Sequence, residues 1–397
     1  MTYQEENSST MSKVLEYLMS GNGLDSMGNV IQILLNHAMK AEREQYLKVE
    51  PYQRSEERVD HANGFKPKQL NTRLGKLQLD IPQVRHGDFY PNALTRGIRS
   101  ERAIKASIAE MYLQGVSTRK VTNILEELCG CEVSSTQVSD AVKQLDPAFQ
   151  AWRERPLECF QHLIVDAVYE KVREAGKVVS NAVLIAYGID SFGKRHVLGV
   201  SVSSSEAEIH WRTFFQDLVK RGLYGVETIT SDAHSGLQAA IRTVFPGVEW
   251  QRCQFHLQQN AQAYVPRLEM RPIVAEQIRQ IFNASNRAEA DRLLKEMIVE
   301  WTKKGAPKLA KWAEENIPEG LAVMNWDKRK WKKLRTSNLA ERVNKEIRRR
   351  TRVIGIFPNA AACLRVITAL LIETDEAWLV EEKRYLVMEK NMLDSSS

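Results

Sequence analysis

The stretch "HLIVDAVYEKVR", residues 162–173, sets one aspartate inside an apolar, β-branched run. Valine, isoleucine and tyrosine at this density favour a strand, and Gly176 follows as a turn residue. A carboxylate in a buried strand is costly unless another group compensates its charge. Asp166 is therefore a candidate functional residue, and other segments of the chain indicate which group could compensate its charge.

The segments around this stretch predict a mixed sheet with two connecting helices. "VVSNAVLIAYGID" and "KRHVLGVSVSS" are β-rich and follow the opening stretch through Gly176 and Gly193, which predicts an antiparallel three-strand meander. The full predicted order is strand, strand, strand, helix, strand, helix, strand, over residues 162–173, 178–190, 194–204, 205–222, 226–234, 236–245 and 248–256. This is the order of a ribonuclease H-like fold, in which the first and fourth strands are neighbours.

A second aspartate, Asp232, follows "TITS" at the end of the fourth predicted strand. If the two strands are neighbours, Asp166 and Asp232 lie close together, and like charges repel unless a cation is shared. Mg²⁺ binds one or two carboxylates, waters and substrate phosphates. Two such ions, roughly 4 Å apart, would clamp the attacking and leaving oxygens of a phosphoryl transfer. We therefore expect two Mg²⁺ or Mn²⁺ ions as cofactors.

A basic segment supplies a third acid. Residues 326–352 contain twelve basic and three acidic residues, the pattern of a polyanion-binding surface. "SNLAERVNKEIRRRTR" predicts a helix on which Glu341, Lys345 and Arg348 share a face. We expect Glu341 to be the third metal ligand. The basic residues expected to contact the DNA backbone are Arg342, Lys345, Arg348, Arg349 and Arg352.

Each of these features has a plainer explanation. The basic run could be a solvated surface helix, and Asn338 with Glu341 fits a capping box. Asp166 could lie on an edge strand, and Asp232 could cap the helix after it. Two further acids compete for a catalytic role but fit hairpin and strand-start positions: Asp190 and Glu227.

Residues 101–146 predict three short helices broken at Gly115 and Gly130, the last one capped by Ser134 or Ser135. This pattern is typical of a helix-turn-helix, whose last helix presents its first residues to base edges. An ordinary three-helix packing unit is the alternative. The candidate DNA-reading residues are Ser135, Thr136, Gln137 and Lys143.

Five stretches together resemble the Mutator-type insertion-sequence transposases of bacteria, a DDE family: "LIVDAVYEKVR", "NAVLIAYGID", "SDAHSGLQAAI", "WQRCQFHLQQN" and "SNLAERVNKEIRRRTRVIGIFPN". The resemblance implies that Asp166, Asp232 and Glu341 are the catalytic triad and metal ligands. It also places Cys253 and His256 on a Cys-x-x-His signature, and implies a helical insertion before Glu341. The helical pattern of 258–325 agrees with that insertion.

His234 and the Cys253–His256 pair each have two interpretations. Many family members have Asp-Gly where this chain has Asp232-Ala233-His234, so His234 either touches substrate or fills space. Cys253 and His256 could be half of a zinc site, but zinc needs four ligands. The other cysteine pair, Cys129-x-Cys131, falls in another predicted domain, so a structural role at the base of the insertion is expected.

The predicted architecture is a multidomain α+β protein with a ribonuclease H-like mixed sheet interrupted by an all-α insertion. Its expected parts are a helical and hairpin region, a helix-turn-helix, the first catalytic part, the insertion, and the second catalytic part with C-terminal helices, over residues 1–100, 101–150, 151–257, 258–325 and 326–397.

The expected function is transposition. The chain would bind terminal inverted repeats and target DNA as double strands, cleave, and join the freed 3′-hydroxyl to target. A homodimer or larger assembly is expected, with helices before residue 50 as candidate contacts. No apolar run is long enough for a membrane helix, so a cytoplasmic, nucleoid-associated location is expected. The alternatives are an inert, domesticated DNA-binding protein and a metal-dependent nuclease without strand transfer.

Overall fold

Contacts divide the chain into two units, residues 1–145 and 146–397, each with its own packing. The computed structural model describes residues 3–19, 26–49, 57–92, 94, 100–116, 118–130 and 132–387. The finer five-part division given above remains a prediction.

The first unit begins with helices α1 (Tyr3–Met19) and α2 (Met27–Leu47), followed by the hairpin β1 (Ala62–Thr72) and β2 (Gly75–Val84). Helix α2 packs on β2 through a core whose members are Met39, Leu77, Leu79 and Ile81. The sequence predicted the hairpin only over residues 72–84, so nearly all of β1 was missed. Most of β1 is exposed and contains Pro67, so it lacks the apolar alternation by which strands are recognised.

Helices α3 (Arg102–Leu113), α4 (Thr118–Cys129) and α5 (Ser135–Lys143) complete the first unit, as the sequence predicted. Their shared core is apolar and consists of Ile104, Ile108, Val121, Leu125, Val133, Val138 and Ala141. Ser134 caps α5, and its side chain and that of Gln137 form a reciprocal capping box.

The second unit contains a five-stranded sheet and helices on both of its faces. Its strands are β3 (Phe160–Glu174), β4 (Lys177–Asp190), β5 (Arg195–Ser203), β6 (Thr228–Ser231) and β7 (Glu249–Arg252). Its helices are α6 (Asp146–Arg153), α7 (Glu208–Lys220), α8 (Ser235–Val244), α9 (Gln254–Ala261), α10 (Arg271–Phe282), α11 (Arg287–Lys303), α12 (Pro307–Asn316), α13 (Lys328–Leu334), α14 (Asn338–Ile354) and α15 (Ala360–Val380). The predicted order of strands and helices from β3 to β7 is confirmed.

The strands lie in the order β5-β4-β3-β6-β7. Strand β3 pairs antiparallel with β4 and parallel with β6, so the first and fourth predicted strands are neighbours, as expected. Alternate residues of β3, including Leu163 and Val165, pack against Trp211 and Phe215 of α7 and Leu237 of α8. The other face of β3 meets α14 and α15. Because both faces are covered, β4 is buried without a break over residues 181–189.

Between β7 and α13 the chain forms helices only: α9 to α12 and short 3₁₀ turns. This agrees with the helical pattern of 258–325, which thus separates β7 from the basic segment. None of the helices that the structure describes combines the length and the hydropathy needed to cross a bilayer.

The end of α14 is fixed to the sheet. Gly355 ends the helix at a φ of 74°, a conformation that side chains with a Cβ rarely adopt. Phe357 is buried, and its backbone accepts from Arg173 N and donates to Lys171 O on β3. Asn359 then caps α15 by accepting from Ala362 N at 2.8 Å. The "GIFPN" stretch therefore holds the basic helix alongside the strand that carries Asp166.

Candidate active site

Asp166 lies within β3, and Asp232 directly follows β6, the parallel strand beside it. The last paired residues of β3 and β6 are Ile164 and Thr230. The two aspartates follow these paired residues by two positions each, and they are close enough for the charge of Asp232 to act on Asp166. Since β3 lies between β4 and β6, the edge-strand explanation of Asp166 is wrong.

The carboxylate of Asp166 is partly buried and held at both oxygens. Ala167 N donates to Oδ1 at 2.9 Å, and Asn344 Nδ2 donates to Oδ2 at 2.8 Å. Burial is the largest influence on this group, and together with the nearby charge of Asp232 it raises the pKa of Asp166 to about 7. The site thus holds negative charge that its own hydrogen bonds do not fully stabilise.

Asp232 is more exposed and contacts His256. Its Oδ1 lies 3.1 Å from His256 Nδ1, in the geometry of an ion pair rather than of an aligned hydrogen bond. The exposed His234 occupies the N-cap position of the helix after Asp232, and no side chain of the described residues caps that helix, so the capping explanation of Asp232 is wrong. The contact with Asp232, followed by that with Cys253, raises the pKa of His256 to about 10. The imidazole is therefore positively charged at neutral pH.

Glu341 reaches the same place from the first turn of α14. Its Oε1 lies 3.8 Å from His256 Nε2, so His256 stands between Asp232 and Glu341. The N-cap of α14 is Ser337, and no side chain caps the helix there. The capping-box explanation of Glu341 with Asn338 is therefore wrong. Among the described residues, Glu341 Oε1 is buried and has no hydrogen-bond partner.

Cys253 lies beneath this group. It is fully buried, occupies the N-cap position of α9, and its sulfur accepts from Ser337 N at 3.3 Å. Burial would raise the pKa of the thiol, but hydrogen bonds with His256 and Ser337 outweigh it and lower the pKa. The ligand atoms of Cys253, His256 and Glu341 lie within 4.8 Å of one another. The Cys-x-x-His pair is thus part of the site itself.

Two of these residues received no site role from the sequence. Asn344 follows Glu341 by three positions, one helical turn, and His256 follows Cys253 by the same spacing. That spacing was visible, but the partners of both side chains come from distant strands. We use the name site cluster for Asp166, Asp232, Glu341, His256 and Asn344.

The site cluster could hold a divalent cation. Its three carboxylates supply the hard oxygen ligands that Mg²⁺ prefers. A shared cation would give Glu341 Oε1 a partner, and it would lower the raised pKa of Asp166. One imidazolium faces three carboxylates, so the negative charge is not balanced within the cluster.

The basic residues of α14 lie on its exposed surface. All five candidates are exposed, and the buried side of the helix is formed by residues such as Val343 and Ile347. Arg349 also pairs with Glu346. The exposed cations are Arg342, Lys345, Arg348, Arg349 and Arg352.

The four candidate DNA-reading residues lie in the first unit, on α5. Ser135, Thr136 and Gln137 are exposed on its first turn, and Gln137 Oε1 accepts from Ser134 N within the capping box. Lys143, in the last turn, pairs with Asp140 at 3.0 Å. The amide nitrogen of Gln137 and the two hydroxyls are therefore the groups that this turn offers to a partner.

Comparison with known proteins defines the class of this chain. The sequence model of the family described as "Transposase, Mutator family" matches residues 2–381. A transposase for insertion sequence element IS406 of Burkholderia multivorans is 54% identical over 360 residues, which is 90% of this chain and 92% of the relative.

Two further relatives span nearly the whole length. A transposase for insertion sequence element ISRM5 of Rhizobium meliloti is 42% identical over 97% of this chain and 96% of its own. The transposase for IS256 in transposon Tn4001 of Staphylococcus aureus is 36% identical over 96% of this chain and 98% of its own. The chain belongs to the Mutator family of transposases.

Proposed function

We propose that this protein is a DDE transposase that cleaves and joins DNA at a metal site formed by Asp166, Asp232 and Glu341. The observation that carries the proposal is the convergence of the three carboxylates from β3, β6 and α14 around His256 and Asn344. The strand order β5-β4-β3-β6-β7 supports a ribonuclease H-like catalytic core. The two metal ions, Mg²⁺ or Mn²⁺, would be bound by these carboxylates.

Bound there, the ions would activate water or a 3′-hydroxyl and stabilise the leaving oxygen of an in-line displacement. The protein's own residues orient the metal-binding carboxylates and attract the DNA. The main-chain amide of Ala167 and the amide of Asn344 fix the Asp166 carboxylate. The exposed arginines of α14, one to three turns beyond Glu341, would bind the phosphates that flank the scissile bond. This explains why one helix carries both an acid and a dense set of bases.

The helices α3 to α5 would bind the terminal inverted repeats, with α5 as the recognition helix of a helix-turn-helix. Its first turn presents Ser135, Thr136 and Gln137 at the surface, and Lys143 lies two turns on. Short polar side chains in this position are suited to base edges in the major groove. Because two DNA ends are processed together, we propose that the active form is a homodimer or a larger assembly.

The test uses the full chain and DNA carrying the ends of its own element, with Mg²⁺ or Mn²⁺. Wild type should nick these ends and join them to target DNA, whereas Asp166→Asn should bind the ends and leave them intact. Wild type that binds but never cuts would support the inert DNA-binding protein instead. Cutting without joining, even from pre-cut ends with a 3′-hydroxyl, would support the nuclease.

A further inference from the structure

Asn344 connects the helix that carries Glu341 to the strand that carries Asp166. Its side chain is 6% exposed, and Nδ2 donates to Asp166 Oδ2 at 2.8 Å. Its other polar atom, Oδ1, is buried and has no hydrogen-bond partner among the residues that the structure describes. An unpaired buried acceptor costs about 1–3 kcal/mol. Here the unpaired atom belongs to a side chain that is bonded to a carboxylate of the site cluster.

The donor side of the amide controls the orientation of Asp166. With Ala167 N on Oδ1 and Asn344 Nδ2 on Oδ2, each oxygen receives one hydrogen bond. A carboxylate has about four lone-pair sites, so both oxygens keep one free. The rotation of the carboxylate is thereby fixed while its capacity to bind a cation remains.

We propose that Asn344 is a positioning residue for the cation site, an inference that rests on the function proposed above. Its Nδ2 fixes the Asp166 carboxylate and keeps the Glu341 turn of α14 against β3. Its Oδ1 supplies an acceptor for a water of the hydrated cation, since Mg²⁺ and Mn²⁺ sites of this kind retain several waters. Removing such outer partners of metal ligands typically lowers metal affinity about 10–100-fold.

The same sheet contains a matched asparagine without this setting. Asn181 on β4 is 2% exposed, its Nδ2 donates to Glu174 Oε1 at 2.6 Å, and its Oδ1 also has no partner in the described chain. It lies opposite Glu170 in the β3–β4 pairing, whereas Asp166 lies opposite Ile185. Asn181 thus shares the burial and the carboxylate bond of Asn344 but is not part of the site cluster.

The experiment is a calorimetric titration of Mn²⁺ into the DNA-free full chain, with folding checked by thermal melting. We expect Asn344→Leu to weaken Mn²⁺ binding about 10-fold or more, and Asn181→Leu to change it less than about twofold. Should Asn344→Leu fail to fold, Asn344→Ser keeps a small polar side chain and is expected to show the same weakening. Asp166→Asn provides the reference for loss of a direct ligand.

The outcomes separate this inference from the proposed function. Equal Mn²⁺ affinity in wild type and Asn344→Leu would overturn the role of Asn344 and leave the metal site standing. Similar weakening in Asn181→Leu and Asn344→Leu would also overturn it, because loss of any buried amide would then suffice. A wild-type chain that binds no Mn²⁺ would overturn both proposals.

Discussion

Two clusters of charged residues lie on the same sheet, and they differ in how completely they are satisfied. The edge cluster, at β5, consists of Arg155, Asp190, His196 and Asp375. Asp375 accepts from Arg155 at 3.1 Å and from Val197 N at 2.8 Å, and Asp190 pairs with His196 at 2.9 Å. Its two acids thus face two basic groups.

The site cluster has three carboxylates against one imidazolium, and its buried polar atoms Glu341 Oε1 and Asn344 Oδ1 lack hydrogen-bond partners among the described residues. Among the residues that the structure describes, no buried polar side-chain atom of the edge cluster lacks a hydrogen-bond partner. Buried polar atoms in folded proteins are nearly always paired. Unpaired atoms also occur outside the site, as at Asn181 Oδ1, but those of the site cluster lie among carboxylates whose charge is not balanced. This difference supports a stabilising role for the edge cluster and the proposed metal-binding role of the site cluster.

The largest expected effect is on catalysis and separates the two clusters directly. Glu341→Gln should lower DNA cleavage by about 10³-fold or more, because a metal ligand contributes several kcal/mol of transition-state stabilisation. Asp190→Asn, a similarly conservative change in the edge cluster, should leave cleavage nearly unchanged. Rates are measured on element-end DNA with Mg²⁺.

The stability of Glu341→Gln provides its control. We expect its free energy of unfolding to stay within about 0.5 kcal/mol of that of wild type, because the Glu341 side chain makes no hydrogen bond among the described residues that stabilises the fold. A loss of several kcal/mol would instead mean that Glu341 mainly stabilises the start of α14.

The next effect is on stability and should appear only at the edge. Asp375→Ala leaves the Arg155 guanidinium and Val197 N without their carboxylate, so we expect about 3 kcal/mol of destabilisation in urea unfolding. Arg155 is partly exposed, which places this value at the low end of the range for buried pairs. If Asp375→Ala proved as stable as wild type, charge balance would not distinguish the clusters.

A smaller effect concerns DNA affinity. Arg348→Ala should weaken binding to all sequences and reduce the slope of log K against log salt by about one unit, because one phosphate contact is lost. The matched control is Lys220→Ala, an exposed cation at the end of α7, which packs on the opposite face of the sheet from the site. An equal change of slope in both variants would show a diffuse charge effect rather than a contact from α14.

The smallest effect is a pH dependence at the edge. Burial opposes ionisation of Asp190, but hydrogen bonds from His196 and from the N–H groups of Lys194 and Phe192 outweigh it and lower its pKa. A lowered folded-state pKa stabilises the protein above the unfolded value of about 3.9, and this stabilisation is lost as pH falls through the folded value. Asp190→Asn should therefore lose about 1 kcal/mol at pH 7 and converge with wild type in strong acid.

Unfolding by urea from pH 7 to pH 2 measures this convergence. A difference between Asp190→Asn and wild type that stays constant over the whole range would show that the carboxylate charge has no part in it.

Much of the sheet could be predicted because β3, β4 and β5 are dense in β-branched residues and separated by glycine turns. The closeness of Asp166 and Asp232 followed from the predicted strand order, in which the first and fourth strands are neighbours. Strand β1 was missed, because an exposed strand with Pro67 carries no apolar alternation. A hydrophobic pattern is visible in the sequence only where a segment buries apolar side chains, and β1 buries few of them.

Asn344 and His256 show the other limit. Asn344 follows Glu341, and His256 follows Cys253, at helical spacing, yet the groups that they contact are remote: Asp166 is 178 residues before Asn344. Which side of a helix faces which strand depends on the packing of the whole second unit. Sequence alone therefore located the acids and not the residues that orient them.

That separation in sequence has a consequence for protein synthesis. During translation, helices α3 to α5 are synthesised well before α14. Strand β3 therefore cannot pack against α14 until the last part of the chain has been made. A nascent or prematurely terminated product without residues 338–397 would retain the proposed DNA-recognition helices and lack the third carboxylate. If α3 to α5 bind the element's ends as proposed above, such fragments would occupy those ends without cutting them and would compete with the complete protein.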